Sequence, residues 1–334
     1  MIMNRFGNRV YIDNCFGLCN RLETFVLACA IQRAFGHEII LDWPELDALQ
    51  VAGARRGRIG LWGRWGAVRV RSCELELFQN LATRRKIILR GFGGPGDKMA
   101  DVHNEAVSRF SLCPPLAEQI AAVFQRLGSR PVVGVHLRRG DFPLLSEEVY
   151  DLHQALLSAV PLWWHEWVMN AIVRHQPDVC FLICHNGKTE AVTLLKKNFD
   201  VIEMPIANPY HNDPKHRSKH HPVADLFALA CCPVIMGTPV SSFSHYAANV
   251  LGNESTCLLP PPRMTRGEPA IVRIRAHKCI LNYWIRACLH EGNEPLAPSF
   301  ETIELDRLAD FQWLRPAAAG ESNAKDSATT RHEP

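Results

Sequence analysis

The chain contains no apolar run of about 18 residues, the length a helix needs to cross a bilayer, so no membrane-spanning helix is expected. Its opening residues, MIMNRFGNRVYIDNC, lack the apolar core of a secretory signal, and a cytoplasmic protein is expected. Excess charge is equally scarce. Against 37 basic residues stand 34 acidic ones, a net of +3, too slight to predict nucleic-acid binding from bulk electrostatics. No CxxC pair occurs among the 12 cysteines, which removes the usual zinc-knuckle spacing. Cys15 and Cys19, like Cys180 and Cys184, are four apart, and Cys231 and Cys232 are adjacent. Small buried thiols in reduced form fit this better than a disulfide framework. There is no GxSxG elbow around Ser241 or Ser242, so a hydrolase nucleophile is discounted. No internal repeat is present.

What the 334 residues do contain is strand–helix alternation, enough for two domains of ordinary size, and 47% hydrophobic residues to build their cores. Val10, Tyr11 and Ile12 begin a strand, Gly17 makes a turn, and Leu22, Phe25, Val26, Cys29, Ala30 and Arg33 recur at helical spacing. Gly36 stands where a helix C-cap belongs, and HEIILDW resumes as a strand. This βαβ unit argues for a parallel sheet. PPLAEQIAAVFQRLGSRP reads as a helix ending near Gly128, where the domain boundary is expected. Beyond it, LWWHEWVMNAIVRH, VCFLICHN, TEAVTLLKKNF, VADLFALACC, PVIMG and SSFSHYAANVLG alternate as helix, strand, helix, helix, strand and turn-to-helix, a second nucleotide-binding-like half. The last residues, 317–334, read as a disordered tail.

VVGVHLRRGDF, Val132 to Phe142, joins a buried, β-branched strand to two adjacent arginines. Ligands of open α/β sheets sit beyond the carboxyl ends of strands, and an arginine pair there suits an anion such as a pyrophosphate. Alternation points Arg138 and Arg139 to different sides, so one is free for a ligand while the other pairs internally, with Arg139 and Asp141 as the expected ion pair.

HLRRGD resembles the HxRRxD motif of the α1,2-, α1,6- and protein O-fucosyltransferases and the NodZ-type chitooligosaccharide fucosyltransferases. FGLCNRLETFVLACAI is similar to their N-terminal GNRL/GNQ segment, and DLFALACCPVIMGTPVSSFSHYAANVLG to their late Asp-led helix, strand and Ser-Ser/Thr-Phe-Ser turn. The three motifs come in the family order between Val10 and Gly252. The resemblance implies a GT-B fold: an acceptor-side Rossmann-like domain over 1–128 facing a donor-binding one over 129–316 across a cleft. It implies an inverting, metal-independent transfer of fucose from GDP-fucose to a glycan or lipid-linked oligosaccharide, with no cofactor. Arg138 matches the arginine that binds the donor β-phosphate and stabilises the departing GDP. His136 and Arg139 match positions supporting the phosphate or guanine end. Asp225 matches an acid ahead of the third motif. Ser242, Phe243 and Ser244 match the phosphate-holding turn, and Asn20 and Arg21 the segment facing sugar and acceptor. Two departures stand out. His185 and Asn186 replace an acid pair, which keeps another nucleotide-sugar donor open, and Cys19 replaces a glycine. A catalytically silent glycan- or nucleotide-binding protein is the reading from another class.

For the base that takes the acceptor's proton, Asp141, Glu147 and Glu148 follow the arginines closely, and Glu147 is the choice. The alternative is that these acids open a helix after Ser146, since SEEV is a good helix start. The segment from Ala52 to Arg71 carries six arginines, Trp62, Trp65 and no acid. It is either a surface gripping a glycan or anion, or a basic loop with its tryptophans folded inward, the latter being expected. RGFGGPGDK lacks the Lys-Ser/Thr ending of a P-loop and reads as a connector. Trp163 and Trp167 are expected in the core. His211, Asp213, His216, His220 and His221 read as a lid loop over the donor cleft rather than a metal site, and Asn253 begins a sequon. Peripheral membrane association and oligomeric state are left open.

Overall fold

The computed structural model describes residues 7–13, 16–91, 93–186, 189–205, 222–252, 255–275 and 280–289. The histidine segment, the Asn253 sequon and the C-terminal tail lie outside them. Among the described residues, no helix is long and apolar enough to cross a membrane.

The fold is mixed α/β with two parallel sheets. In the N-terminal half, Arg9–Ile12 lies at the centre, between Glu38–Leu41 and Lys86–Leu89, with Ala54–Arg56 and Val68–Val70 at the two edges. All pairings are parallel. The expected helix runs Leu18–Phe35 and ends at Gly36, whose φ of 71° is the left-handed C-cap. Its mostly buried residues explain why its sequence is apolar nearly all round rather than striped.

In the C-terminal half the central strand is Val132–Leu137, buried at every position. Reading across the sheet, the strands are Val201–Ile202, Cys180–His185, Val132–Leu137, Val234–Met236, Thr256–Leu259 and the antiparallel Val272–Arg275. In chain order this is 3-2-1-4-5-6, the dinucleotide-binding arrangement. The order reverses between Val132–Leu137 and Val234–Met236, so the carboxyl ends of these two strands flank the crevice. Gly134 allows the helix Pro222–Ala230 to sit directly on the central strand: a Cβ there would come 2.5 Å from Leu229 Cδ1 and 3.1 Å from Cys232 Cβ.

Three local expectations are corrected. Ser146 does not open a helix: its Oγ accepts the N–H groups of Glu148 and Val149, both at 3.1 Å, and turns the chain into the strand Val149–Asp151, which pairs with Arg263–Thr265. Val149 and Tyr150 favour the pleated pairing, and no apolar helical stripe follows to stabilise the alternative. The glycine-rich RGFGGPGDK is not wholly a connector, because the helix Gly96–Ser108 begins within it. Of the tryptophans near residue 163, Trp164 is the fully buried one, while Trp163 and Trp167 pack against the core from its margin. All ten described cysteines are free thiols, nine of them buried.

A Gly134→Ala variant should lose about 1–3 kcal/mol of stability, since the added methyl must displace the docked helix. Urea denaturation followed by far-UV circular dichroism measures it.

Candidate functional site

The site grows from the exit of the central strand. Arg138 follows Leu137 and is fixed on two sides. Its Nε and Nη2 donate to Asp141 Oδ1 and Oδ2 at 3.1 and 2.7 Å, and its Nη1 donates to Ser241 Oγ at 3.1 Å. The guanidinium stacks 4.4 Å above the Phe142 ring. The hydrogen bonds from Arg138 hold the Asp141 carboxyl below its ordinary range. The expected Arg139–Asp141 pair is therefore corrected: the partner of Asp141 is Arg138, because three residues of tight turn bring the forked face of that side chain back onto the carboxylate. Arg139 lies partly buried, its positive charge opposing protonation of His165, and its Nη1 is buried with no hydrogen-bond partner among the described residues.

Asn186, at the exit of the neighbouring strand, fastens this turn. Its Oδ1 accepts the backbone N–H groups of Arg139 and Gly140 at 3.1 Å each, and its Nδ2 donates to Asp141 Oδ1 at 2.6 Å. An amide can do this and a carboxylate cannot, because the position needs an acceptor and a donor at once. His185 points elsewhere, with Nε2 3.1 Å from Glu203 Oε1, and Lys196 pairs with the other oxygen of that carboxylate. Burial foremost, and then the charge of Glu203, push the Asp225 carboxyl up to about 7.

The second strand of the crevice supplies the turn Thr238–Ser241. Pro239 takes its second place, Val240 its third, and Ser241 N–H reaches Thr238 O at 3.3 Å. Val240 carries a φ of 62°, the positive angle a type II turn demands at that place and one a β-branched residue rarely adopts. The turn delivers Ser241, whose Oγ caps the short helix Ser242–His245 by accepting from Phe243 N–H and also receives Arg138. Behind it, His136 is buried with its ring stacked on Phe243 at 4.8 Å and its Nδ1 2.8 Å from Ser244 Oγ. Burial, the Arg138 charge and His165 push the His136 imidazole down to about 3, so it is neutral. Ser244 also accepts Thr238 N–H at 2.8 Å and is fully buried, so its hydroxyl faces the scaffold; among the motif serines, Ser242 is only half-buried.

The N-terminal half reaches the site through the first turns of Leu18–Phe35. Burial holds the Cys19 thiol well above its ordinary range, against the opposing charges of Arg138 and Arg21. Asn20 is half-buried beside it. Arg21, expected to face the sugar, is turned inward: it is 2% exposed and gives Nη1 and Nη2 to the two oxygens of Glu45 at 2.8 and 2.6 Å, above the Trp43 ring. One turn on, Glu23 joins the halves. Its carboxylate accepts the Tyr246 hydroxyl at 3.0 Å and Leu281 N–H at 3.1 Å, and burial pushes its pKa up to about 7. Glu147 lies apart: it sits on an exposed loop, and its carbonyl accepts Trp163 Nε1–H at 2.7 Å. Among the described residues no three metal-ligating side chains converge.

The structure thus brings Arg138, His136 and the Ser242–Ser244 turn together at the exits of the two strands, with Arg139 next in the same turn and Asp225 on the helix behind the adjoining strand. Sequence reading passed over Thr238 and Glu23, weighed Ser241 only as a hydrolase nucleophile, and noted Asn186 without its bonds. Only Asn186 carried a signal, as an amide standing at the place of an acid.

No protein-family model matches the chain, and no curated protein matches it by sequence. Solved structures do. NodZ α-1,6-fucosyltransferase co-crystallized with GDP is similar over 80% of this chain and 99% of its own, at 14% identity and a TM-score of 0.51. The selenomethionine form of fucosyltransferase NodZ from Bradyrhizobium gives the same values. A mutant of Arabidopsis thaliana FUT1 in complex with GDP matches 82% of this chain and 75% of its own, at 9% identity and a TM-score of 0.51. The chain has a mixed α/β fold similar to that of fucosyltransferases.

Two outcomes follow from this geometry. Asn186→Asp should loosen the arginine turn, replacing an N–H donor to Asp141 with a repelling carboxylate, and should lower the melting temperature more than Asn186→Ala does. The Glu23 carboxyl is raised from near 4.5 to about 7 on folding, so its contribution is full below pH 4.5 and is lost as pH rises through 7. Glu23→Gln should flatten that decline in thermal melts between these limits, leaving the share due to Asp225, which shifts the same way.

Proposed function

We propose that this chain is an inverting glycosyltransferase that moves fucose from GDP-fucose to a glycan or lipid-linked oligosaccharide. In this reading the enzyme is of the GT-B type. Residues 1–128 form an acceptor-side Rossmann-like domain, 129–316 a donor-binding one, and the donor lies in the crevice between them. The observation that carries it is a guanidinium, Arg138, fixed at the point where a 3-2-1-4-5-6 sheet reverses its strand order, beside the half-exposed turn at Ser242.

The chemistry follows from charge. As the bond between the anomeric carbon and the β-phosphate oxygen breaks, negative charge grows on the departing GDP and positive charge on the sugar ring. A guanidinium held in place beforehand stabilises that charge without reorganising, and a donor of this kind is worth about 10²–10³ in rate. Asp141, Ser241 and Asn186 supply the holding. The unpartnered Nη1 of Arg139 is a donor that an oxygen of the donor's diphosphate would satisfy. Neutral His136 adds no second charge and acts as a packed prop under Phe243. Asp225 and Ser242 complete the donor side, Asn20 the acceptor side, and Glu147 takes the acceptor hydroxyl's proton as the loop closes on substrate. This scheme asks for no metal and no cofactor.

The GDP-bound relatives support the reading through their fold and through what their own crystals contain. The arrangement at His185 favours weighing a second one, the same fold with another nucleotide sugar: here a histidine–glutamate pair and an amide clamp stand where the family resemblance leads one to expect two acids.

Radiolabelled GDP-fucose separates these outcomes. Purified protein should release fucose slowly in the absence of acceptor, and Arg138→Ala should cut that rate about 10²–10³-fold, with Arg138→Lys intermediate. Full activity of Arg138→Ala would overturn the mechanism. Stabilisation by UDP- or dTDP-sugars but not GDP-fucose in a thermal-shift panel would transfer the reading to the other donor.

A further inference from the structure

The two faces of the N-terminal sheet are covered very unequally. One carries Val10, Ile12, Ile39, Leu41, Ile87 and Leu89 into the main core. The other buries only Tyr11, Ile40 and Ile88, beneath Ile59 and the partly buried Ala67. Parallel sheets are ordinarily covered on both sides by helices. Here the second cover is the segment 57–67, which crosses from one edge strand to the other and contains a helix of four residues, Leu61–Arg64.

The registers show what else shares that thin face. Arg9 stands opposite Glu38 and Lys86, Ile40 opposite Arg55, and Ile88 opposite Arg69, so these side chains lie on the same side as Tyr11. Glu38 is held between Arg9 and Arg55, at 3.1 and 2.8 Å. Asp42 accepts Ile59 N–H at 3.1 Å, and Lys86 donates to the Trp65 carbonyl at 3.3 Å, which pins the crossing segment down. Basic groups outnumber acids on this face, and the segment laid over it adds Arg58 and Arg64. The same segment turns Leu61 and Trp65 outward, 86% and 73% exposed. This corrects the inward-folded expectation for Trp65: the sheet beneath it offers room for one isoleucine, not an indole.

We propose that this face docks onto an anionic lipid surface. A basic face that also exposes an aliphatic and an indole side chain matches the two components of interfacial binding, headgroup attraction and shallow apolar insertion. A second copy of the chain would bring like charge against like charge. A nucleic-acid backbone would use the arginines but would leave a Leu side chain, 86% exposed, with nothing to bury against. The surface is independent of the crevice around Arg138, so this inference does not depend on the donor.

Vesicle co-sedimentation of the full chain tests it. The protein should pellet with phosphatidylcholine vesicles only when phosphatidylserine is added, and added salt should release it. Arg58→Gln with Arg69→Gln should weaken partitioning about fivefold per arginine removed. Leu61→Ser with Trp65→Ser should weaken it at unchanged charge, and circular dichroism would confirm that each variant is folded. Equal retention on neutral vesicles, no retention on either, or variants that bind as wild type would overturn the proposal. So would binding to double-stranded DNA as tight as to vesicles and insensitive to the Leu61 and Trp65 changes, which would assign the face to nucleic acid.

Discussion

A permanent positive charge placed at the end of a buried strand has to be held, or it will turn to the nearest carboxylate and stay there. In this protein the nearest carboxylate is made part of the holding. Asp141 grips Arg138 from one side and Ser241 steadies it from another, while Asn186 ties the turn that carries both to the neighbouring strand. The pair is partly exposed, so its worth lies in geometry more than in stability. The three residues that do the holding, Asp141, Ser241 and Asn186, leave three different strands, and so the aim of one side chain depends on the register of those strands.

The N-terminal half enters this arrangement through a single helix. Its first turn brings Cys19 within the field of Arg138, Arg21 locks onto Glu45, and Glu23 fastens Tyr246 and the amide of Leu281. Buried carboxylates are costly unless satisfied, and among the described residues Glu23 is satisfied by Tyr246 and Leu281, both from the other half of the chain.

Much of the scaffold was legible from the residues. Strand and helix periods place the first βαβ unit and the main strands and helices from Pro114 to Leu251, because those strands are β-branched and Gly36 stands at a real turn, whereas the elements from Pro44 to Leu112 carry no clear period and went unread. The site was legible in its charges but not in their partners. HLRRGD names the arginines, yet which of the two meets Asp141 depends on how the backbone curls after Leu137, and no spacing rule contains that. Arg21 was misplaced because Glu45, its partner, lies 24 residues away in sequence, beyond any local pattern. Asn186 was visible only as an oddity, since its bonds go to main-chain groups that a sequence does not display. SEEV misled because a serine that can cap a helix can equally cap a turn, and tertiary pairing made the choice.

Val240 has a wider consequence. A β-branched residue at positive φ costs on the order of 1–3 kcal/mol and persists only where its surroundings enforce it. The turn is held by the close packing at Gly237, where a Cβ would come 2.9 Å from Cys257 Sγ, by Thr238 Oγ1 donating to the His136 carbonyl at 3.0 Å, and by the helix that Ser241 caps. Any change that loosens this packing is therefore felt at Ser241 and, through its hydroxyl, at Arg138.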